Sequence, residues 1–211
     1  TQIWAGEGAL TNLEKLREKR VFVVTDPFMV ESGFVDHLTK HLSHNKYLIF
    51  SDIVPDPPID KIVSGIKQLV DFKGDTIVAL GGGSAIDAAK AMKFFGEQTM
   101  NIKVDQFIAV PTTSGTGSEV TNFSVITIAE TGTKIPLVTD EIQPDVAILD
   151  TALVMSVPPK ITADTGMDVL THVIEAYVST EANPIADALW EKVVRLVFEN
   201  LEIAYHDGNN K

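Results

Sequence analysis

Three consecutive glycines, Gly81, Gly82 and Gly83, separate a short apolar run at residues 76–80 from a segment with helical periodicity. The apolar run is too short for a helix and is typical of a strand buried on both faces. A helix that begins right after such a strand points its free backbone N–H groups beyond the strand's carboxyl end, and glycines let a ligand approach the main chain closely. Ser84 is placed to cap this helix. The stretch therefore predicts an anion site, with phosphate as the most plausible ligand.

A second loop, at residues 111–119, is rich in hydroxyl groups and glycine and follows another apolar run, 107–110. Asp26 occupies the equivalent place after the β-branched run 21–25, where a carboxylate can accept a hydrogen bond from a ribose hydroxyl. Loops at the carboxyl ends of parallel strands converge, so these features together predict a nucleotide site. The alternatives are a tight turn without a ligand at the glycines, since no complete GxGxxG or GxxxxGK[ST] pattern is present, and ordinary Asp-Pro turn chemistry at Asp26.

Asp168, His172 and Glu175 share a polar stripe on a helix predicted over residues 162–178. A carboxylate and an imidazole four residues apart on a helix can grip one metal ion, so the spacing offers half of a metal site. The same spacing also suits a helix-surface pair that binds nothing. With no cysteine in the chain, His, Asp and Glu are the only strong metal ligands available.

The composition narrows the class of partner. The 211 residues carry 29 acidic and 17 basic side chains, for a net charge of −12, which argues against nucleic acid or an anionic membrane surface and favours small ligands. No apolar stretch approaches the roughly 20 residues of a membrane span, and the first residues lack the features of a signal peptide. We therefore expect a soluble, cytoplasmic protein.

The order of elements predicts an α/β fold, with a parallel sheet that carries helices on both faces. Predicted strands cover residues 2–4, 21–25, 47–50, 76–80, 107–110 and 146–150, and a β-hairpin covers 120–129 and 134–138. Predicted helices include 29–42 and 60–72, and after Pro158 and Pro159 the pattern is helical throughout, with helices at 162–178 and 184–204. We expect a dinucleotide-binding domain at residues 1–154 and the start of a helical domain at 155–211, which the natural protein continues beyond Lys211.

Three motifs together resemble the iron-containing alcohol dehydrogenase family: GGGSAIDAAKA at residues 81–91, PTTSGTGSEVT at 111–121 and TGMDVLTHVIEAY at 165–177. That family shares its fold with dehydroquinate synthase and glycerol dehydrogenase. The resemblance implies an N-terminal dinucleotide-binding α/β domain and an all-helical C-terminal domain that holds the metal.

The resemblance also implies roles for individual residues toward NAD. It assigns Asp26 and Asp56 to the adenosine half, although many members of the family carry asparagine where Asp56 stands. The pyrophosphate residues that it implies are Gly82, Gly83, Ser84 and Asp87. The residues that it implies near the nicotinamide and its ribose are Thr112, Thr113, Thr116, Lys134 and Leu149.

For the metal, iron or zinc, the resemblance implies Asp168 and His172 together with two later histidines that this chain lacks. The implied reaction is hydride transfer between a small primary alcohol and NAD, with the metal as Lewis acid and no side chain needed as a general base. A homo-oligomer is expected. Two alternatives stay open: a non-catalytic dinucleotide-binding fragment, and a polyol dehydrogenase or synthase of the same fold.

Overall fold

The computed structural model describes residues 1–128 and 130–209. Ala129, at the end of a predicted hairpin strand, and Asn210 and Lys211, at the end of the predicted helical domain, lie outside the described residues. The chain divides into two compact units, Thr1–Thr112 with Gly117–Ala152, and Thr113–Thr116 with Leu153–Lys211.

The first unit is built on a parallel sheet. The strands of the described chain are β1 (Gln2–Ala5), β2 (Arg20–Val24), β3 (Lys46–Phe50), β4 (Thr76–Gly81), β5 (Gln106–Pro111), β6 (Phe123–Ile128), β7 (Thr133–Val138) and β8 (Val146–Leu149). Over the residues that the structure describes, six of them form one sheet in the order β1-β8-β5-β4-β2-β3, with every neighbouring pair parallel. β6 and β7 form a separate antiparallel hairpin.

Helices follow most of these strands. The α-helices of the described chain are α1 (Pro27–Glu31), α2 (Phe34–Thr39), α3 (Ile59–Phe72), α4 (Gly83–Met100), α5 (Pro159–Tyr177) and α6 (Pro184–His206). Short 3₁₀ helices cover Ala9–Lys15, Lys40–Leu42, Ser118–Val120, Asp140–Ile142 and Thr151–Leu153. The predicted fold class, a parallel α/β sheet flanked by helices, is confirmed.

The core of the first unit explains why the central strands contain so many apolar residues. Phe22, Ile77 and Phe107 lie on β2, β4 and β5, and each is fully buried in the cluster that α3 and α4 complete. Burial of a large apolar side chain contributes about 1.5–3 kcal/mol, so this cluster fixes the central strands firmly. The strand ends that carry the loops of interest are therefore held by the most buried part of the fold.

Two local predictions were wrong. The helix predicted over residues 29–42 is divided into α1, α2 and a 3₁₀ turn, because Gly33 adopts a left-handed conformation with φ of 80°. Ser84 does not cap α4, because the helix already begins at Gly83 and Gly82 occupies the N-cap position without a side-chain hydrogen bond.

The second unit contains α5 and α6, which approach closely at a glycine: a Cβ atom on Gly166 would overlap the side chain of Leu201. Several large apolar side chains remain on its surface, including Leu189 and Phe198, which are 60% and 75% exposed. An apolar groove of about 330 Å³ lies between the two helices, with Tyr177 and Trp190 in its lining. Within residues 1–128 and 130–209, no helix combines the length and apolar character needed to cross a membrane.

Candidate functional site

The strand order contains one reversal that matters for ligand binding. From β2 the chain moves outward to β3, and then returns to place β4 on the other side of β2. In open α/β sheets, ligands bind in the crevice outside the carboxyl ends of the strands at such a switch point. The residues that follow β2 and β4 are Asp26 and the glycine loop, so the two strongest nucleotide predictions from the sequence lie on either side of the same crevice.

Asp26 uses its two carboxylate oxygens differently. Oδ1 accepts a hydrogen bond from the backbone N–H of Met29 at 3.1 Å and caps α1. Oδ2 lies 3.4 Å from the position that a Cβ atom would take on Gly81. The second oxygen therefore faces the glycine loop, where it can accept a bond from a ligand hydroxyl.

The glycine loop combines a strained turn with an uncapped helix. Gly81 has a φ of 149°, and a Cβ there would lie 2.8 Å from the Cβ of Ala85, so only glycine fits. Gly82 is the N-cap of α4, and no side chain caps the first turn. The backbone N–H groups of Gly83 and Ser84 head a helix of 18 residues whose dipole favours an anion at this end. These features fit a pyrophosphate group.

The second loop is joined to the first at its beginning. Pro111 pairs with Gly81 in the sheet register, and the backbone N–H of Thr112 donates to the carbonyl of Gly81 at 3.1 Å. Thr112 is buried. Thr113 and Thr116 belong to the second compact unit. Of the three predicted threonines, the structure thus brings Thr112 to the glycine loop.

Asp56 and Lys134, which the resemblance placed near the cofactor, form an ion pair. Lys134 Nζ donates to Asp56 Oδ1 at 2.7 Å, and both side chains are more than half exposed. The pair exists because the β6–β7 hairpin lies against the proline turn: the N–H of Thr127 donates to the carbonyl of Pro57, and Lys134 is opposite Thr127 in the hairpin. An exposed pair of this kind contributes little to stability, so both groups remain available to a ligand.

Asp87 lies one turn into α4, and protein donors occupy both of its carboxylate oxygens. Oδ1 accepts from the hydroxyl of Ser118 at 2.5 Å, and Oδ2 accepts from the backbone N–H of Val125 at 2.9 Å. Burial raises the pKa of this carboxyl above its ordinary value, while the two hydrogen bonds and the nearby Lys90 act in the opposite direction. Asp87 therefore binds the end of the second loop and the segment that follows it.

Lys90 was missed by sequence reasoning, although its position offered a signal. It lies between Ala89 and Ala91, its two nearest neighbours on each side are apolar and buried, and it is itself fully buried. Burial lowers the pKa of its ammonium group to about 8, while Asp87 and Glu119 act to raise it.

The carboxyl end of β8 holds the N-terminal segment of the chain. Leu149, predicted near the nicotinamide, is the last residue of β8, and its carbonyl accepts from the N–H of Gly6 at 3.0 Å. Asp150, which sequence reasoning also missed, is buried and accepts from the N–H groups of Gly8, Leu10 and Ala152 at 3.1–3.2 Å. Asp150 thus binds the backbone of the N-terminal segment and of the residues that follow β8.

The predicted metal ligands lie together on α5. His172 Nε2 and Asp168 Oδ1 are 3.7 Å apart, and the two side chains are 50% and 41% exposed. A carboxylate oxygen and an imidazole nitrogen suit a divalent iron or zinc ion. No group of three potential ligands occurs within the described part of the chain, so these two residues could supply at most part of a ligand set.

Two family profiles match this chain. The profile of the iron-containing alcohol dehydrogenase family matches residues 1–151, and that of the C-terminal part of the Fe-containing alcohol dehydrogenase family matches residues 162–211.

Individual relatives agree with these profiles. The chain is 46% identical to 1-propanol dehydrogenase PduQ of Citrobacter freundii over 210 residues, which are 99% of this chain and 56% of that protein. The crystal structure of sulfoacetaldehyde reductase from Bifidobacterium kashiwanohense in complex with NAD⁺ superposes with a TM-score of 0.92 at 34% identity, over 100% of this chain and 60% of that one. The chain therefore spans little more than half the length of these relatives. The profile that covers residues 1–151 shows that it belongs to the iron-containing alcohol dehydrogenase family.

Proposed function

We propose that this chain forms the dinucleotide-binding part, and a portion of the metal-binding part, of an NAD-dependent, metal-assisted oxidoreductase that interconverts a small primary alcohol and its aldehyde. The observation that carries the proposal is the meeting of Asp26 and the glycine loop at the switch point of the sheet. The similarity to a 1-propanol dehydrogenase and to a reductase solved with NAD⁺ supports the same reaction class.

Residues 1–154 are the proposed dinucleotide domain. The N–H groups of Gly83 and Ser84 bind the pyrophosphate at the uncapped end of α4, with Gly82 leaving room for it. Asp26 Oδ2 accepts from the adenosine ribose, and the Asp56–Lys134 pair contacts the cofactor from the hairpin side. The proposed nicotinamide-side residues are Thr112, Thr113, Thr116 and Leu149.

Residues 155–211 are the proposed start of the metal-binding domain, where Asp168 and His172 contribute two ligands to a divalent iron or zinc ion. When bound, NAD accepts the hydride and the metal ion supplies Lewis acidity at the alcohol oxygen. The chain's own residues hold and orient these groups. No side chain is assigned as a general base, so the proton of the alcohol would have to be carried by the bound cofactor and solvent.

The partners in this proposal are a small alcohol and its aldehyde, and the location is the cytoplasm. A homo-oligomer is proposed because the second unit exposes large apolar side chains such as Leu189 and Phe198. The net charge of −12 supports the absence of nucleic acid from the set of partners.

The test begins with binding, because NAD affinity does not require a complete metal site. Isothermal titration of the chain with NAD is expected to give one site per chain. Oxidation of 1-propanol is then measured with added Fe²⁺ or Zn²⁺, comparing His172→Ala with His206→Ala, a matched control at the end of α6. We expect neither substitution to change NAD affinity and His172→Ala alone to weaken metal binding. Absence of NAD binding by the folded chain would refute the proposal.

A further inference from the structure

The ammonium group of Lys90 lies in the interior of the first unit, where all three of its N–H groups are hydrogen-bonded. Its side chain is 0% exposed. The ammonium nitrogen donates to Ser118 Oγ at 3.0 Å, to Thr121 Oγ1 at 3.1 Å and to the carbonyl of Phe123 at 2.7 Å. An ammonium group has three N–H donors, so each donor has one acceptor. The ammonium group thus binds three residues of a single segment, which begins at the end of the second loop.

Asp87, one helical turn before Lys90, binds the same segment. Its carboxylate accepts from Ser118 Oγ and from the N–H of Val125, and its backbone carbonyl accepts from Ser124 Oγ at 3.0 Å. The hydroxyl of Ser118 is therefore shared, because it accepts from Lys90 and donates to Asp87. Two side chains of α4 together hold residues 118–125, which we call the clamped segment.

The clamped segment borders the second loop, and the other border of that loop is fixed as well. Before the loop, Thr112 donates its N–H to the carbonyl of Gly81. At the end of the loop, Ser118 is held by Asp87 and Lys90 on the helix that begins at the glycine loop. Both ends of the second loop are thus tied to the elements that form the glycine loop.

Stability alone does not account for a buried ammonium at this position. An apolar side chain of similar length would fill the same space without the desolvation cost of a charge, and such replacements are often neutral or stabilising. What an apolar side chain cannot do is fix three acceptors of one segment at once.

We propose that Lys90 and Asp87 are positioning residues that hold the second loop against the glycine loop. The second loop can then bind the nicotinamide half of the dinucleotide while the glycine loop binds its pyrophosphate. This inference rests on the proposed function. It gives Asp87 a role through Ser118 and Val125, whereas the family resemblance placed it directly in the pyrophosphate loop.

The test compares two ligands and two lysines. ADP requires the Asp26 crevice, Asp56 and the glycine loop, whereas NAD also requires the second loop. Lys90→Met is compared with Lys93→Met, a control on the same helix whose ammonium binds Glu97 and the carbonyl of Glu141 instead of the clamped segment. Loss of hydrogen bonds from a charged donor predicts that Lys90→Met weakens NAD binding about tenfold and changes ADP binding less than about twofold. Lys93→Met should change neither.

Ser118→Ala is the second variant, because it removes the shared hydroxyl with a minimal change in volume and should also weaken NAD binding selectively. Folding of each variant is checked by circular dichroism before titration. Equal NAD affinity in wild type, Lys90→Met and Ser118→Ala would overturn the inference, as would an equal loss of ADP and NAD affinity. A wild-type chain that binds neither ligand would instead refute the proposed function, and the inference with it.

Discussion

The buried ammonium of Lys90 makes the stability of the first unit depend on pH in a direction that can be calculated. Burial lowers its pKa from an ordinary value of 10.5 to about 8. Between these two values the unfolded chain binds more protons than the folded chain, so the free energy of unfolding rises with pH across this window. Below about pH 8 both states are protonated and the full cost of burying the charge is present. At about 1.4 kcal/mol per pH unit, the difference amounts to on the order of 3 kcal/mol.

Lys90→Met removes this titration and leaves other groups in place. The assay is urea unfolding at pH 7 and pH 10, followed by the fluorescence of Trp4 in a Trp190→Phe background, so that the signal reports the first unit. We expect the free energy of unfolding to rise between these pH values by on the order of 3 kcal/mol more in wild type than in the variant.

Equal pH dependence in the two proteins would refute the reasoning. NAD affinity should move in the opposite direction to stability, because a neutral amine offers two N–H groups to the three acceptors that Lys90 satisfies at pH 7. A fall in NAD affinity of wild type toward pH 10, absent in Lys90→Met, is therefore expected.

Three further predictions use the same titrations. Wild type should prefer NAD over NADP, because the Asp26 carboxylate repels a 2′-phosphate. Asp26→Asn keeps the oxygen that caps α1 but removes this charge, so the variant should lose on the order of tenfold of the preference. Equal affinities of wild type for NAD and NADP would contradict this prediction. Valine is compatible with the φ of −76° observed at Gly82, so Gly82→Val should leave the midpoint of thermal unfolding nearly unchanged while NAD binding is lost. Unchanged NAD affinity in this variant would show that the glycine loop is purely structural. Wild type should self-associate in sedimentation, and Leu189→Lys with Phe198→Lys should reduce its mass, whereas a monomeric wild type would exclude association through this surface.

The elements around the proposed site were the most predictable part of the fold. Buried strands and a glycine turn leave a strong local signal, so β4, the loop at Gly81 and the start of α4 were located to within a residue or two. The errors arose where one residue decides the outcome. Gly33 divides a segment whose apolar pattern alone indicates a continuous helix, and Gly82 takes the cap position that Ser84 was expected to fill.

Contacts between distant segments could not be read from the sequence. The Asp56–Lys134 pair joins positions 78 residues apart, and its formation depends on how the hairpin lies against the proline turn. The partners of Lys90 and Asp87 are likewise 28 to 38 residues away. A lysine whose nearest neighbours along a helix are all apolar indicates burial, but only the tertiary structure identifies the acceptors of its hydrogen bonds.

The position of β1 has a consequence for the order of folding. Among the described residues β1 pairs with β8 alone, and Gln2 is opposite Val146, so the partners are 144 positions apart in the sequence. At roughly 5–20 residues per second, the ribosome needs on the order of 10 s to make the intervening chain. During that time the earliest strand of the sheet has nothing to pair with, and closing so long a loop is slow. Among the strands of the described sheet, β1 is therefore expected to join last, and the hydrogen bonds of Asp150 with Gly8 and Leu10 would form in that step.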